Sequence, residues 1–146
     1  MNYYTLLVVN SNFDVNEGVL GKIQRTGFAG NTASKVDSSI IGLENQQLSI
    51  HTEMAFLAVS SKTEEIAHCR YLTKFYFPKL EIIQNGTTPE AVRCVKECID
   101  LAQSHAYGLF CHFAKKKNVP IQSIQLQPME KMETVIFDFL NGVKHG

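Results

Sequence analysis

Arginine is scarce in this chain, present only as Arg25, Arg70 and Arg93, which leaves few guanidinium forks for reading base edges in a nucleic-acid groove. The 14 basic residues are cancelled by 14 acidic ones, so no net field draws the protein toward nucleic acid or an anionic membrane. No apolar run approaches the ~20 residues that span a bilayer. The amino terminus, Met1 to Val9, is apolar, yet it has neither a basic leader nor a clear small-residue cleavage site. It is expected to be a buried first strand of a soluble, cytoplasmic protein. Phosphate-binding signatures are missing as well: Gly27-Phe28-Ala29-Gly30-Asn31-Thr32 is rich in glycine but matches neither the P-loop nor the dinucleotide fingerprint. Only four cysteines occur, Cys69, Cys94, Cys98 and Cys111. Three of them fall in one expected helix, where parallel side chains are poorly placed to bridge, so reduced thiols are expected rather than a disulfide framework.

What is present suits one globular domain. A length of 146 residues lies near the usual size of a single core, and 45% hydrophobic against 19% charged residues is not the balance of a disordered chain. Tyr3 to Val9 has the aromatic and β-branched content of a strand. The stretch from about 10 to 39 is rich in glycine, asparagine and serine and is expected to be a loop region around a short element near Val19 to Ile23. Ile40, Ile41 and Leu43, then Leu48 and Ile50, predict a hairpin about Glu44-Asn45-Gln46. Met54 to Val59 is too short to assign between strand and helix.

Further on, Ser61-Lys62-Thr63-Glu64 has the form of a capping box and predicts a helix to about Tyr76. Leu80 to Ile83 reads as a short strand and Asn85-Gly86 as a turn. Thr88 then offers a helix cap, with Pro89 at the first helical position, where its missing N–H costs nothing. Val92, Val95, Ile99, Ala102, Ala106, Leu109 and Phe113 recur at steps of three and four, which keeps one apolar stripe on one helix face. Carried to Asn118, this helix would be about 30 residues and ~45 Å long at 1.5 Å per residue, and would cross the whole domain. Gly108 offers the competing reading, in which the helix stops and Leu109 to Phe113 forms a strand. The unbroken period favours continuation, because an isolated glycine costs only ~1 kcal/mol against alanine. Val119 to Gln127 alternates as a strand with one buried face, and Met132, Val135, Ile136, Phe139, Leu140 and Val143 mark a final amphipathic helix. The expected fold is therefore a single two-layer α/β domain over 1–146. It has a mixed β-sheet, a long amphipathic helix over about 89–117 and a C-terminal amphipathic helix.

Two short patterns bear on chemistry. His51-Thr52-Glu53 is followed, after forty residues, by Cys94-Val95-Lys96-Glu97-Cys98. A zinc-activated hydrolase needs three protein ligands, an open position for water and a nearby carboxylate that moves protons. This pair of patterns resembles the signature of the zinc-dependent cytidine and nucleic-acid deaminases, H-x-E with P-C-x-x-C, although here the cysteines are three residues apart and Pro89 stands five positions before Cys94. The resemblance implies His51, Cys94 and Cys98 as zinc ligands, Glu53 as the catalytic acid–base, and a nucleobase or related amine as substrate. The competing reading places Cys94 and Cys98 at the edge of the apolar arc as small core hydrophobes, and His51 and Glu53 facing water.

Without that site, the chain reads as a small ligand- or partner-binding module with no catalytic motif of its own. A homo-oligomer is then expected, with the long stripe packed against a symmetry mate. Phe75, Tyr76 and Phe77 would suit an aromatic contact or a pocket wall. Lys115, Lys116 and Lys117 read as a solvated helix end favoured by the helix dipole.

Overall fold

Asn45 and Gln46 both take positive φ, 52° and 64°, as a two-residue hairpin turn matched to the twist of its strands requires. A glutamine is an unusual occupant of that position, and it is tied down twice. Its carbonyl accepts from the Phe77 N–H at 2.8 Å, and its Nε2 donates to the Phe77 carbonyl at 3.2 Å. The turn joins β3 (Thr32–Glu44) to β4 (Gln47–Val59), where the sequence predicts a hairpin. The computed structural model describes residues 4–10, 13–26, 32–59, 63–119 and 129–145.

The sheet is completed by β1 (Tyr4–Asn10), β2 (Asp14–Val15) and β5 (Thr63–Tyr76), in the order β1-β5-β4-β3 with β2 also paired to β5. Every pairing among the described residues is antiparallel, so the expected mixed sheet is replaced by an antiparallel one within the same two-layer α/β class. The helices are α1 (Glu17–Thr26), α2 (Glu81–Gln84), α3 (Pro89–Lys116) and α4 (Met129–His145). No helix among the described residues is long and apolar enough to cross a membrane.

Three local expectations are corrected. The segment from Thr63 to Tyr76 is the central strand β5 rather than a helix. Its inward residues Cys69, Tyr71, Thr73 and Phe75 alternate and are fully buried, and it pairs on both sides, with β1 and β4, which outweighs a local capping signal. The expected strand at Leu80 to Ile83 is instead the single turn α2, with Ile83 in the core. The expected loop region of 10–39 holds β2, α1 and most of β3. Asn16 caps α1 by accepting from the Val19 N–H through Oδ1 at 3.2 Å. The expected strand after Val119 and the glycine-rich 27–31 lie outside the described residues.

The long helix runs as its stripe predicts. Thr88 Oγ1 accepts from the Ala91 N–H at 3.1 Å, Pro89 occupies the first turn, and the helix passes through the exposed Gly108. At its far end Asn118 has φ 58°, while the N–H groups of Val119 and Asn118 reach Ala114 O at 2.8 Å and Lys115 O at 3.3 Å. That is a Schellman closure with asparagine in the left-handed position.

Two apolar clusters lie between α3 and the inner sheet face. The amino-terminal half of α3, from Ala91 to Ala102, packs with Leu48, Ile50, Phe75, Phe77 and the α4 residues Met132, Ile136 and Leu140. The carboxy-terminal half, Ala106, Phe110 and Ala114, packs with Met54, Phe56, Cys69 and Tyr71 and with Val19 and Leu20 of α1. Fully burying each large side chain contributes about 1.5–3 kcal/mol. The stripe of α3 is thus occupied within its own chain, and so are Phe75 and Phe77, which form core rather than a pocket wall.

Candidate functional site

Strand alternation decides the fate of the proposed metal centre. Along β4, Leu48, Ile50, Thr52, Met54 and Phe56 are buried beneath the helices, so His51 and Glu53 project from the opposite face of the sheet. There Glu53 stands in register with Arg70, their charged groups 3.8 Å apart. Cys94 and Cys98 lie on the other side, in the core between α3 and the sheet. Burial and the nearby Glu97 push the Cys94 thiol up to about 11, and burial raises Cys98 further. Both sulfurs are neutral thiols at neutral pH, packed as small hydrophobes within the core.

The sheet separates the imagined histidine ligand and acid–base carboxylate from the imagined thiolates. Among the described residues no group of three or more histidine, cysteine, aspartate or glutamate side chains is placed to hold a metal. The continuation of α3 through Gly108 also removes the strand that should follow the cysteines in the deaminase-like arrangement. The resemblance to the zinc deaminases is overturned on these grounds.

Other polar groups meet at places that no local pattern of residues marks. His68 on β5 lies between two carboxylates, with Nδ1 2.9 Å from Glu65 Oε2 and Nε2 3.5 Å from Asp14 Oδ2. Asp14 reaches it only because β2 pairs with β5. In the core, Gln103 of α3 donates through Nε2 to Ser38 Oγ at 3.0 Å, and Ser38 Oγ lies 3.3 Å from Thr52 Oγ1. This polar group sits between the two apolar clusters, with Tyr71 the cross-strand neighbour of Thr52. Burial raises the Tyr71 phenol far above its ordinary range, so it stays neutral.

Among the described residues, two grooves lie along α4. One, of about 430 Å³, is lined by Thr87, Pro89, Val92, Arg93, Lys96 and Phe137. The other, of about 390 Å³, lies against the β3–β4 hairpin and is lined by Leu43, Asp138, Phe139, Gly142 and Val143. The first is the better candidate. Its volume is within the usual range for small-molecule sites, and Phe137 is 41% exposed beside Pro89 and Val92. Arg93 and Lys96, three apart on α3, add two cations to an apolar floor, with Glu90, Glu97 and Asp100 nearby on the same helix limiting the local positive charge. The sequence stripe contained Val92, but Phe137 comes from a helix about forty residues away, and no local spacing brings them together.

No protein-family profile and no curated protein matches this chain. Among solved structures, the crystal structure of a protein of unknown function from Streptococcus agalactiae aligns with 84% of this chain and 99% of its own length. The identity is 10% and the TM-score 0.29, a likeness too slight to carry a functional argument.

Proposed function

We propose that this chain is a ligand- or partner-binding module without a catalytic site of its own, that it works as a homo-oligomer, and that the groove between α3 and α4 receives its ligand. The observation that carries the groove assignment is the exposed Phe137 ring, set in one groove with Pro89, Val92, Arg93 and Lys96. An apolar floor favours a hydrocarbon or aromatic body, and the two cations favour a carboxylate at its end. The ligand class that fits is a small amphipathic acid.

The chain contains no tryptophan, so Phe137→Trp introduces a single fluorescent reporter into the groove. Titration with octanoate and phenylpropionate should give saturable changes in emission, with the corresponding amides binding more weakly. In the otherwise natural chain, the amide resonances of Thr87 to Lys96 should move on the same titration, and Phe137→Ala should abolish the movement. Saturable binding that is indifferent to Phe137→Ala, or no binding of any acid in the panel, would remove the groove from consideration.

A further inference from the structure

The edge strand β3 points to a second copy of this chain. Among the described residues β3 pairs only with β4, and the edge is 13 residues long. A long unpaired edge is a template for another strand unless it is blocked. The irregularity between Ile40 and Gly42 interrupts pairing there and leaves Thr32 to Ile40 as the regular stretch. Ile41, at that interruption, is 64% exposed, which places apolar surface on the same edge.

Along this stretch Val36 and Ser38 face the core, and Lys35, Asp37 and Ser39 are exposed on the outer face. Resting on the oligomeric reading above, we infer that two chains join by antiparallel pairing of β3 with β3 about a two-fold axis through Val36. Val36 then meets Val36 of the second copy, Ser34 meets Ser38, and Thr32 meets Ile40. On the outer face each Lys35 meets an Asp37, twice over. Opposite residues of an antiparallel pair share a face, and opposite charges there are favourable while like charges are not. Moving the axis to Asp37 sets Asp37 against Asp37, and moving it to Lys35 sets Lys35 against Lys35. An axis midway between neighbouring residues would oppose core-facing positions to outward ones. Of the registers near the centre of the strand, only the one through Val36 pairs the charges. The sheet would then continue as β1-β5-β4-β3 into β3-β4-β5-β1, with the helices of both copies on one side.

A charge-reversal cycle tests this. Sedimentation equilibrium on the full chain should show a dimer. Lys35→Asp alone and Asp37→Lys alone each create two like-charge contacts and should weaken dimerisation by about tenfold, whereas Lys35→Asp with Asp37→Lys should restore it. Recovery in the double variant also shows that the single variants did not lose dimerisation through misfolding. A dimer whose affinity ignores both single substitutions overturns this interface and leaves the oligomeric reading standing. A chain that is monomeric up to millimolar concentration overturns both, even if the β3 amides are protected from exchange, because that protection would then come from elsewhere in the same chain.

Discussion

Replacing Gly108 with alanine tests whether α3 is one continuous helix and therefore whether its cysteines belong to the core. Gly108 is exposed within α3, and a Cβ added there meets no atom within 4 Å. With no steric cost, the substitution should realise the helix-propensity difference of about 1 kcal/mol in favour of alanine. Part of that gain comes from the smaller entropy of the unfolded chain. For a chain of this size it should raise the melting temperature by about 3 °C, and in urea it should move the midpoint without changing the slope. Gly42→Ala is the matched control. Gly42 also has nothing within 4 Å of an added Cβ, but its φ is +157°, a conformation L side chains rarely adopt. The same methyl in equally open space should therefore stabilise at 108 and destabilise at 42. A loss of stability for Gly108→Ala would mean that the chain does not follow helical geometry there, and would reopen the assignment of Leu109 to Phe113.

Three other perturbations have defined outcomes. Gln103→Leu removes the amide that donates to Ser38 and should cost about 1–2 kcal/mol in urea unfolding; combined with Ser38→Ala, the loss should be less than the sum of the two, and strict additivity would contradict the coupling. Asn118→Val forces a β-branched side chain into a left-handed position and should cost about 1–2 kcal/mol, while Asn118→Gly should be neutral or stabilising; equal effects would refute the Schellman closure. The Cys94 thiol ionises near 9 when unperturbed and is pushed up to about 11 in the fold by burial, so the folded state holds the proton more tightly. Its contribution to stability is complete below about pH 9 and is lost as the pH rises toward about 11. Cys94→Ala should flatten the alkaline fall in stability across that window, and an unchanged slope would refute the assignment.

The elements that were legible in the sequence carried their own boundaries. Thr88 and Pro89 start α3 by satisfying or removing its first N–H groups, and Val95, Ile99, Ala102 and Ala106 keep its buried face in line. The β3–β4 hairpin showed itself through Asn45 and the apolar residues on either side. β5 did not, because Ile66, Cys69 and Thr73 also satisfy helical spacing. The register shift opposite Phe56 and Leu57 also buries the neighbours Ile66 and Ala67 and breaks the alternation where a reader would look for it. What makes β5 a strand is the pair of strands beside it, which no local window contains. In β3 the inward position 38 is a serine with exposed Asp37 and Ser39 on either side, so its period hardly shows in hydropathy. The His51, Glu53, Cys94 and Cys98 set failed for a related reason. Spacing placed His51 and Glu53 together on one face of β4, but which face the helices cover is settled only when the whole core closes.

The buried polar contact among Gln103, Ser38 and Thr52 bears on how α3 finds its place on that sheet. Much of the helix face turned inward is small, with Ala91, Ala102, Ala106 and Ala114 all buried, and small residues let the helix lie close without interlocking strongly with the strands. A slide of one turn, about 5.4 Å, would exchange one small residue for another at several of these contacts. It would also separate Gln103 from Ser38, to which its amide donates at 3.0 Å. An amide buried without its partner costs about 1–3 kcal/mol, enough to disfavour the slipped packing by roughly fivefold to a hundredfold. The residue that divides the core into two clusters is therefore also the one that penalises a shifted helix. In its native position α3 keeps Cys94 and Cys98 against the inner face of the sheet, on the side away from His51 and Glu53.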